Sequence, residues 1–211
     1  MHVGVFGGTF DPIHLGHLGA AEATRSLLGL GRVIFVPAGQ PWLKADIPVS
    51  PARHRLEMVR LALAGEPHFE LSTTEIDRPG PSYTVDTVRV LQRELEREAD
   101  LFLLIGSDAL LDFPRWRQPA RLIEICRLAA FARPNVAMPC LDDLERAVPG
   151  ISRRIDFVEI PQVNVSATEI RRLITQGASI GHLVPRAVES YILEHGLYSD
   201  RDTQAGVSRG G

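Results

Sequence analysis

The chain predicts an α/β fold, a doubly wound parallel sheet followed by a small helical subdomain. Three observations point there. Over the first two thirds, short apolar runs with strand character alternate with segments of helical spacing, the pattern of strand–helix–strand units. The last third carries helical patterns with no long strand between them. With 211 residues, 45% of them apolar and 23% charged, the chain is long enough to bury one core and has the composition of a globular domain.

Strands are expected at His2–Phe6, Arg32–Pro37, Phe69–Ser72, Asp100–Ile105, Leu128–Ala132 and Asp156–Val158, each an apolar run of strand length. After the first strand, Gly7-Gly8 reads as a turn. Leu15–Leu28 has apolar residues at helical spacing and stops at Gly29. A second helix opens at Ser50-Pro51, with Ser50 as cap and Pro51 at the first helical position, and runs through Leu56, Val59 and Leu63 to near Gly65. Thr84–Glu98 is a third, striped by Val85, Val88, Leu91 and Leu95, with Ser82 suited to cap it. Val165–Gln176 and Pro185–Glu194 complete the helices. Residues 1–198 therefore read as a single domain, with about 160–198 helical. The tail 199–211 is polar and glycine-containing, has too little apolar surface to pack, and is expected to be disordered.

Charge and cysteine usage exclude several function classes. The net charge is −3 and no lysine or arginine run stands out, so no broad nucleic-acid surface is expected; a phosphate ligand must be met by local groups. Cys126 and Cys140 match no metal spacing and no CxxC pair, so two reduced thiols and a cytoplasmic location are expected. The N-terminus lacks a basic region followed by an apolar stretch, and runs such as Leu101–Ile105 are too short to span a bilayer, so no membrane partner is expected.

The densest chemistry lies in Gly7-Gly8-Thr9-Phe10-Asp11-Pro12-Ile13-His14-Leu15-Gly16-His17. Glycines let backbone N–H groups approach a ligand, a helix N-terminus favours anions, and paired imidazoles add donors for phosphate oxygens. The string resembles the ATP-binding signature of the nucleotidyltransferase superfamily, and in its extended form GGTFDPxHxGH it is similar to the bacterial nicotinate-nucleotide adenylyltransferases. The resemblance implies a Rossmann-like nucleotidyltransferase fold, with ligands held beyond the carboxyl ends of the strands.

Three further segments extend the resemblance, which runs from Val3 to about Tyr198. Val165-Ser166-Ala167-Thr168-Glu169-Ile170-Arg171 resembles the family's phosphate-binding ISSTxIR element; Ser166-x-x-Glu169 also fits a capping box, and a capped helix N-terminus suits phosphate. Ala167 offers no hydroxyl at its position. Glu75–Thr87 contains the loop Pro79-Gly80-Pro81 and is similar to the segment that holds the pyridine carboxylate in the family, which assigns Tyr83 and Thr84 to that task. Gly106-Ser107-Asp108 with Phe113 and Trp116 resembles a GxD…F..W element; this implies that Asp108 accepts from ribose hydroxyls and Trp116 stacks on the pyridine. Lys44 stands where the family keeps a lysine, although Trp42-Leu43 replaces the usual proline and histidine. Arg133-Pro134 resembles a segment near the adenosine, without an assigned role. His2, His54, His68, His182 and His195 match no ligand spacing.

Adenylyl transfer from ATP to nicotinate mononucleotide is therefore the implied reaction. His14, His17 and Arg171 are the implied catalytic groups. Gly7, Gly8, Thr9, Phe10, Lys44, Gly106, Asp108, Ser166 and Thr168 are implied to bind ATP; Tyr83, Thr84 and Trp116 are implied to bind the mononucleotide. Mg²⁺ is expected to arrive on the ATP phosphates, since no carboxylate cluster offers an all-protein site. The helical surfaces leave room for a homodimer. A phosphopantetheine-type adenylyltransferase would share the first motif but lack the Gly80–Thr87 loop and the Trp116 element. A nucleotide-binding regulatory module would need no acceptor pocket.

Overall fold

The computed structural model describes residues 1–41, 49–95, 99–134, 136–161 and 164–199. Six parallel strands form one sheet: β1 (His2–Gly8), β2 (Arg32–Pro37), β3 (Phe69–Leu71), β4 (Asp100–Gly106), β5 (Arg127–Phe131) and β6 (Ile155–Val158), in the order β3-β2-β1-β4-β5-β6. The chain builds outward from β1 through β2 to β3, then returns to the other side of β1 with β4. The order thus reverses between β1 and β4, and that crevice is where open α/β sheets take their ligands.

Helices on the two faces are α1 (Leu15–Leu27), α2 (Ala52–Leu63), α3 (Thr74–Asp77), α4 (Thr84–Glu94), α5 (Ser107–Asp112), α6 (Pro119–Ile125), α7 (Leu141–Ala147), α8 (Ala167–Thr175) and α9 (Arg186–Glu194). Alternation along the strands sorts the core. Val3 and Val5 of β1 join Val85, Val88 and Leu91 of α4 on one face; Phe6 joins Ala20, Met58, Ile170 and Val188 of α1, α2, α8 and α9 on the other. The C-terminal helices α8 and α9 therefore share one core cluster with α1 and α2.

Several local expectations change. Gly7 and Gly8 are the last rungs of β1, paired with Val36 and Pro37, because the ladder to β2 continues through them; the turn is Thr9–Pro12, with Phe10 at φ 48° and a cis Asp11–Pro12 peptide. Gly29, at φ 61°, ends α1 in the left-handed region as the sequence indicates. Ser50 does not cap α2, because Pro51 holds the cap position; separately, the Ser50 backbone N–H donates to Asp11 Oδ2 at 3.0 Å. Ser82 does not cap α4: its hydroxyl accepts from the N–H groups of Gly39 (3.0 Å) and Gln40 (3.2 Å), tying the loop after β2 to the entry of α4. The helices α3, α5, α6 and α7 are absent from the sequence reading; at seven residues or fewer they show too little periodicity. The expected extension of α4 through residues 96–98, and most of the 199–211 tail, lie outside the described residues.

Candidate active site

The carboxyl end of β1 leads through Thr9–Pro12 into α1, whose cap is His14 in extended conformation (φ −148°, ψ 170°). Its ring lies over that of His17, with centroids 3.7 Å apart and planes inclined by 25°. The His14 N–H donates to His17 Nδ1 at 3.3 Å, so Nδ1 keeps its lone pair and the neutral His17 carries its proton on Nε2. Phe10 meets His17 edge-on at 5.0 Å and is itself 2% exposed, so its side chain supports the imidazole from the core side. Burial, and secondarily the charge of Arg133, depress the His14 pKa to about 3; the imidazole is neutral at physiological pH.

Gly16, between the two histidines, has a steric reason to be glycine: a Cβ there would come within 2.7 Å of Val165 Cγ1. That close approach brings α1 against the segment entering α8. Ser166 caps α8, its hydroxyl oxygen accepting from the Glu169 N–H at 3.2 Å. Only half of the expected capping box forms, because the Glu169 carboxylate turns to Arg172 in a bidentate pair at 2.8 and 2.5 Å. Arg171 reaches back across the site: Nη1 donates to the Asp11 carbonyl at 2.7 Å and Nη2 to Thr168 Oγ1 at 3.3 Å. Two helix N-termini, two imidazoles and a guanidinium thus gather around the turn that follows β1, an arrangement suited to a polyanion.

Across the crevice β4 ends at Gly106, which caps α5, with Asp108 in its first turn. Asp108 accepts from Arg133 Nε at 3.4 Å, and the Arg133 N–H donates to Ser107 Oγ at 3.0 Å. Arg133, singled out in the sequence by resemblance but without an assigned role, thus stands beside Asp108 just after β5. With Gly16, Phe131 and Val165 it lines a small hollow beside α1.

Tyr83 caps α4 and Thr84 opens it. The Arg117 guanidinium lies 4.4 Å from the Tyr83 ring centroid, and Trp116 packs on Phe113 with centroids 5.3 Å apart. The Trp116 Nε1 is buried without a protein partner among the described residues. Beneath this loop Glu75 is buried, accepts from Thr87 Oγ1 at 2.6 Å, and has its pKa raised by burial. Arg55, 1% exposed, joins the loops: its guanidinium donates to the carbonyls of Ser50 (3.0 Å), Thr9 (2.9 Å) and Gly39 (3.2 Å). Sequence reasoning missed Arg55, which sits inside an apparently ordinary amphipathic helix. Lys44 lies outside the described residues. Among the described residues no group of three or more His, Cys, Asp or Glu side chains could hold a metal ion, and no helix is long and apolar enough to cross a membrane.

Comparison with known proteins adds to this geometry. The cytidylyltransferase-like family model matches residues 5–173. A Dehalococcoides mccartyi protein named a probable nicotinate-nucleotide adenylyltransferase is 43% identical over 94% of this chain and 97% of its own length. A Thermus thermophilus protein of the same name is 46% identical over 94% of this chain and 100% of its own. The structure of Plasmodium falciparum nicotinic acid mononucleotide adenylyltransferase complexed with NaAD superposes with a TM-score of 0.75 at 18% identity, covering 93% of this chain and 97% of that one. At that identity the likeness bears on the fold alone.

Proposed function

The chain belongs to the cytidylyltransferase-like family, and from that premise we infer its reaction: it transfers the adenylyl group of ATP to nicotinate mononucleotide, giving deamido-NAD and pyrophosphate, in NAD biosynthesis. The observation that carries the reading is the convergence of His14, His17 and Arg171 at the sheet's reversal point, drawn together by the Arg171–Asp11 hydrogen bond of 2.7 Å.

The attacking group is a phosphate oxygen of the mononucleotide, already ionised at neutral pH, so no protein base is needed. It bonds to the α-phosphorus as the bond to the pyrophosphate oxygen breaks. Catalysis then consists of positioning and of donors aimed at developing charge. His14, neutral, and His17, with its proton on Nε2, donate N–H groups to the α-phosphate and the departing oxygen. Arg171, Ser166 and Thr168 hold the β- and γ-phosphates at the α8 N-terminus. The ribose of ATP meets Asp108, and the adenine lies by Arg133. Lys44 is assigned to the triphosphate on the resemblance alone.

On the acceptor side, Tyr83 and Thr84 present the N-terminus of α4 to the nicotinate carboxylate, and Trp116 stacks on the pyridine. An anionic carboxylate gains more at a helix N-terminus than a neutral carboxamide does, and the Arg117 charge over Tyr83 adds to this preference. Mg²⁺ fits as an ion delivered on ATP, because the protein groups around the proposed phosphate positions are hydrogen-bond donors rather than carboxylate ligands. When bound it supplies neutralisation of triphosphate charge. The two free cysteines agree with a cytoplasmic location. The outer helix faces offer surface for a second copy, which light scattering measures.

Pyrophosphate release with ATP and Mg²⁺ tests the reading, with nicotinate mononucleotide, nicotinamide mononucleotide and phosphopantetheine as acceptors. Strong preference for the nicotinate substrate is expected. Preference for nicotinamide mononucleotide would remove the carboxylate assignment, and turnover with phosphopantetheine alone would overturn the function.

A further inference from the structure

The C-terminal segment returns to the signature loop from 187 residues away. The Tyr198 hydroxyl donates to Asp11 Oδ1 at 2.6 Å, and the other carboxylate oxygen accepts from the Ser50 N–H at 3.0 Å. Both oxygens of this buried carboxylate are therefore engaged. The Asp11 carbonyl in turn accepts from Arg171 Nη1. A second tie lies one helical cap away: the Leu15 N–H, the first of α1, donates to the Leu183 carbonyl at 2.9 Å. The stretch Asp11–Leu15, which contains His14, is thus gripped at both ends by the C-terminal part of the chain.

Tyr198 also holds an uncommon backbone conformation, φ 64°, in the left-handed region that a residue with a Cβ visits at a cost. Its ring packs against the core of α2 and α9, with the hydroxyl 3.9 Å from Met58 Sδ. Burial, then the neighbouring Asp11, raise its pKa, so the hydroxyl keeps its proton and remains a donor. A ring that only filled the core would not require a charge-assisted bond to a loop carboxylate; such bonds are about twice as strong as neutral ones.

We propose that Tyr198 is a positioning residue for adenylyl transfer: its hydroxyl, through Asp11, fixes the carbonyl against which Arg171 is aimed and so sets the spacing between Arg171 and His14. The proposal rests on the reading that these two residues hold the triphosphate. Loss of the hydroxyl leaves the Asp11 side chain held by the Ser50 N–H alone and so loosens the carbonyl that Arg171 meets, while the Thr9 carbonyl stays bonded to Arg55. The acceptor pocket on α4 shares no hydrogen bond with Tyr198 among those described and is left alone.

Tyr198→Phe keeps the ring and removes one oxygen. Expected are a fall in kcat of about 10- to 100-fold, the rate equivalent of one charge-assisted hydrogen bond, and a several-fold rise in KM for ATP, with KM for the mononucleotide within about twofold of wild type. Ile192→Val, in the same core but away from the loop, provides a matched loss of Tm and is expected to keep kcat. In an Arg171→Ala background Tyr198→Phe is expected to add nothing, because it acts through that guanidinium. Unchanged kcat and KM for ATP in Tyr198→Phe overturns the proposal, as does an equal kinetic loss in Ile192→Val or a full additional loss in the double variant. If Arg171→Ala itself leaves ATP kinetics intact, the phosphate reading fails first, and the proposal falls with it.

Discussion

Replacing His14 with asparagine removes a titrating group from a buried position of the site while keeping a side chain that caps helices well. In the unfolded chain His14 takes up a proton near its ordinary pKa of 6.5; in the native state it does so only near pH 3. Between these values the unfolded state binds a proton that the folded state refuses. Its contribution to stability is therefore fully present above pH 6.5 and is lost as pH falls toward 3. At pH 4.5 the gap is two pH units, or about 2.7 kcal/mol relative to pH 7.5. Urea unfolding of wild type and His14→Asn at both pH values isolates this quantity, since other titrating groups cancel in the double difference. The variant is expected to lose about 2–3 kcal/mol less on acidification, a difference in midpoint of about 1 M urea. Equal acid losses in the two proteins would refute the argument, because His14 would then be titrating as freely in the native state as in the unfolded chain.

Two other substitutions probe the same corner. His17→Ala removes the donor proposed for the α-phosphate and is expected to lower kcat by about 10²-fold or more in steady-state pyrophosphate release; a folded variant with near wild-type kcat would remove the role. Gly16→Ala forces a methyl to within 2.7 Å of Val165 Cγ1, so α1 and the entry to α8 must part; a loss of about 1–3 kcal/mol by urea unfolding, together with weaker ATP binding, is expected, and wild-type stability would show that the two segments separate without cost.

What the sequence determined by itself is local. The six strands were legible because apolar runs of strand length need no partner to be recognised, and α1, α2, α4, α8 and α9 because nine or more residues suffice to show a helical stripe. The Gly7–His17 string and the Val165–Arg171 string each carry their chemistry in adjacent residues, and so the family resemblance could be drawn from them before any packing was known. Tertiary structure decided whatever depends on residues far apart in the chain. Periodicity does not specify that β4 lies beside β1, which creates the crevice. Ser50 and Ser82 looked like helix caps because local propensity favours them there; the cap of α2 falls one residue later at Pro51, and the Ser82 hydroxyl finds partners in the backbone N–H groups of Gly39 and Gln40. Arg55 and Tyr198 have no local signature, since each acquires its partners only when packing removes water and leaves distant carbonyls or a carboxylate to bond; Arg133 was legible only as a resemblance, and its bond to Asp108 came with the fold.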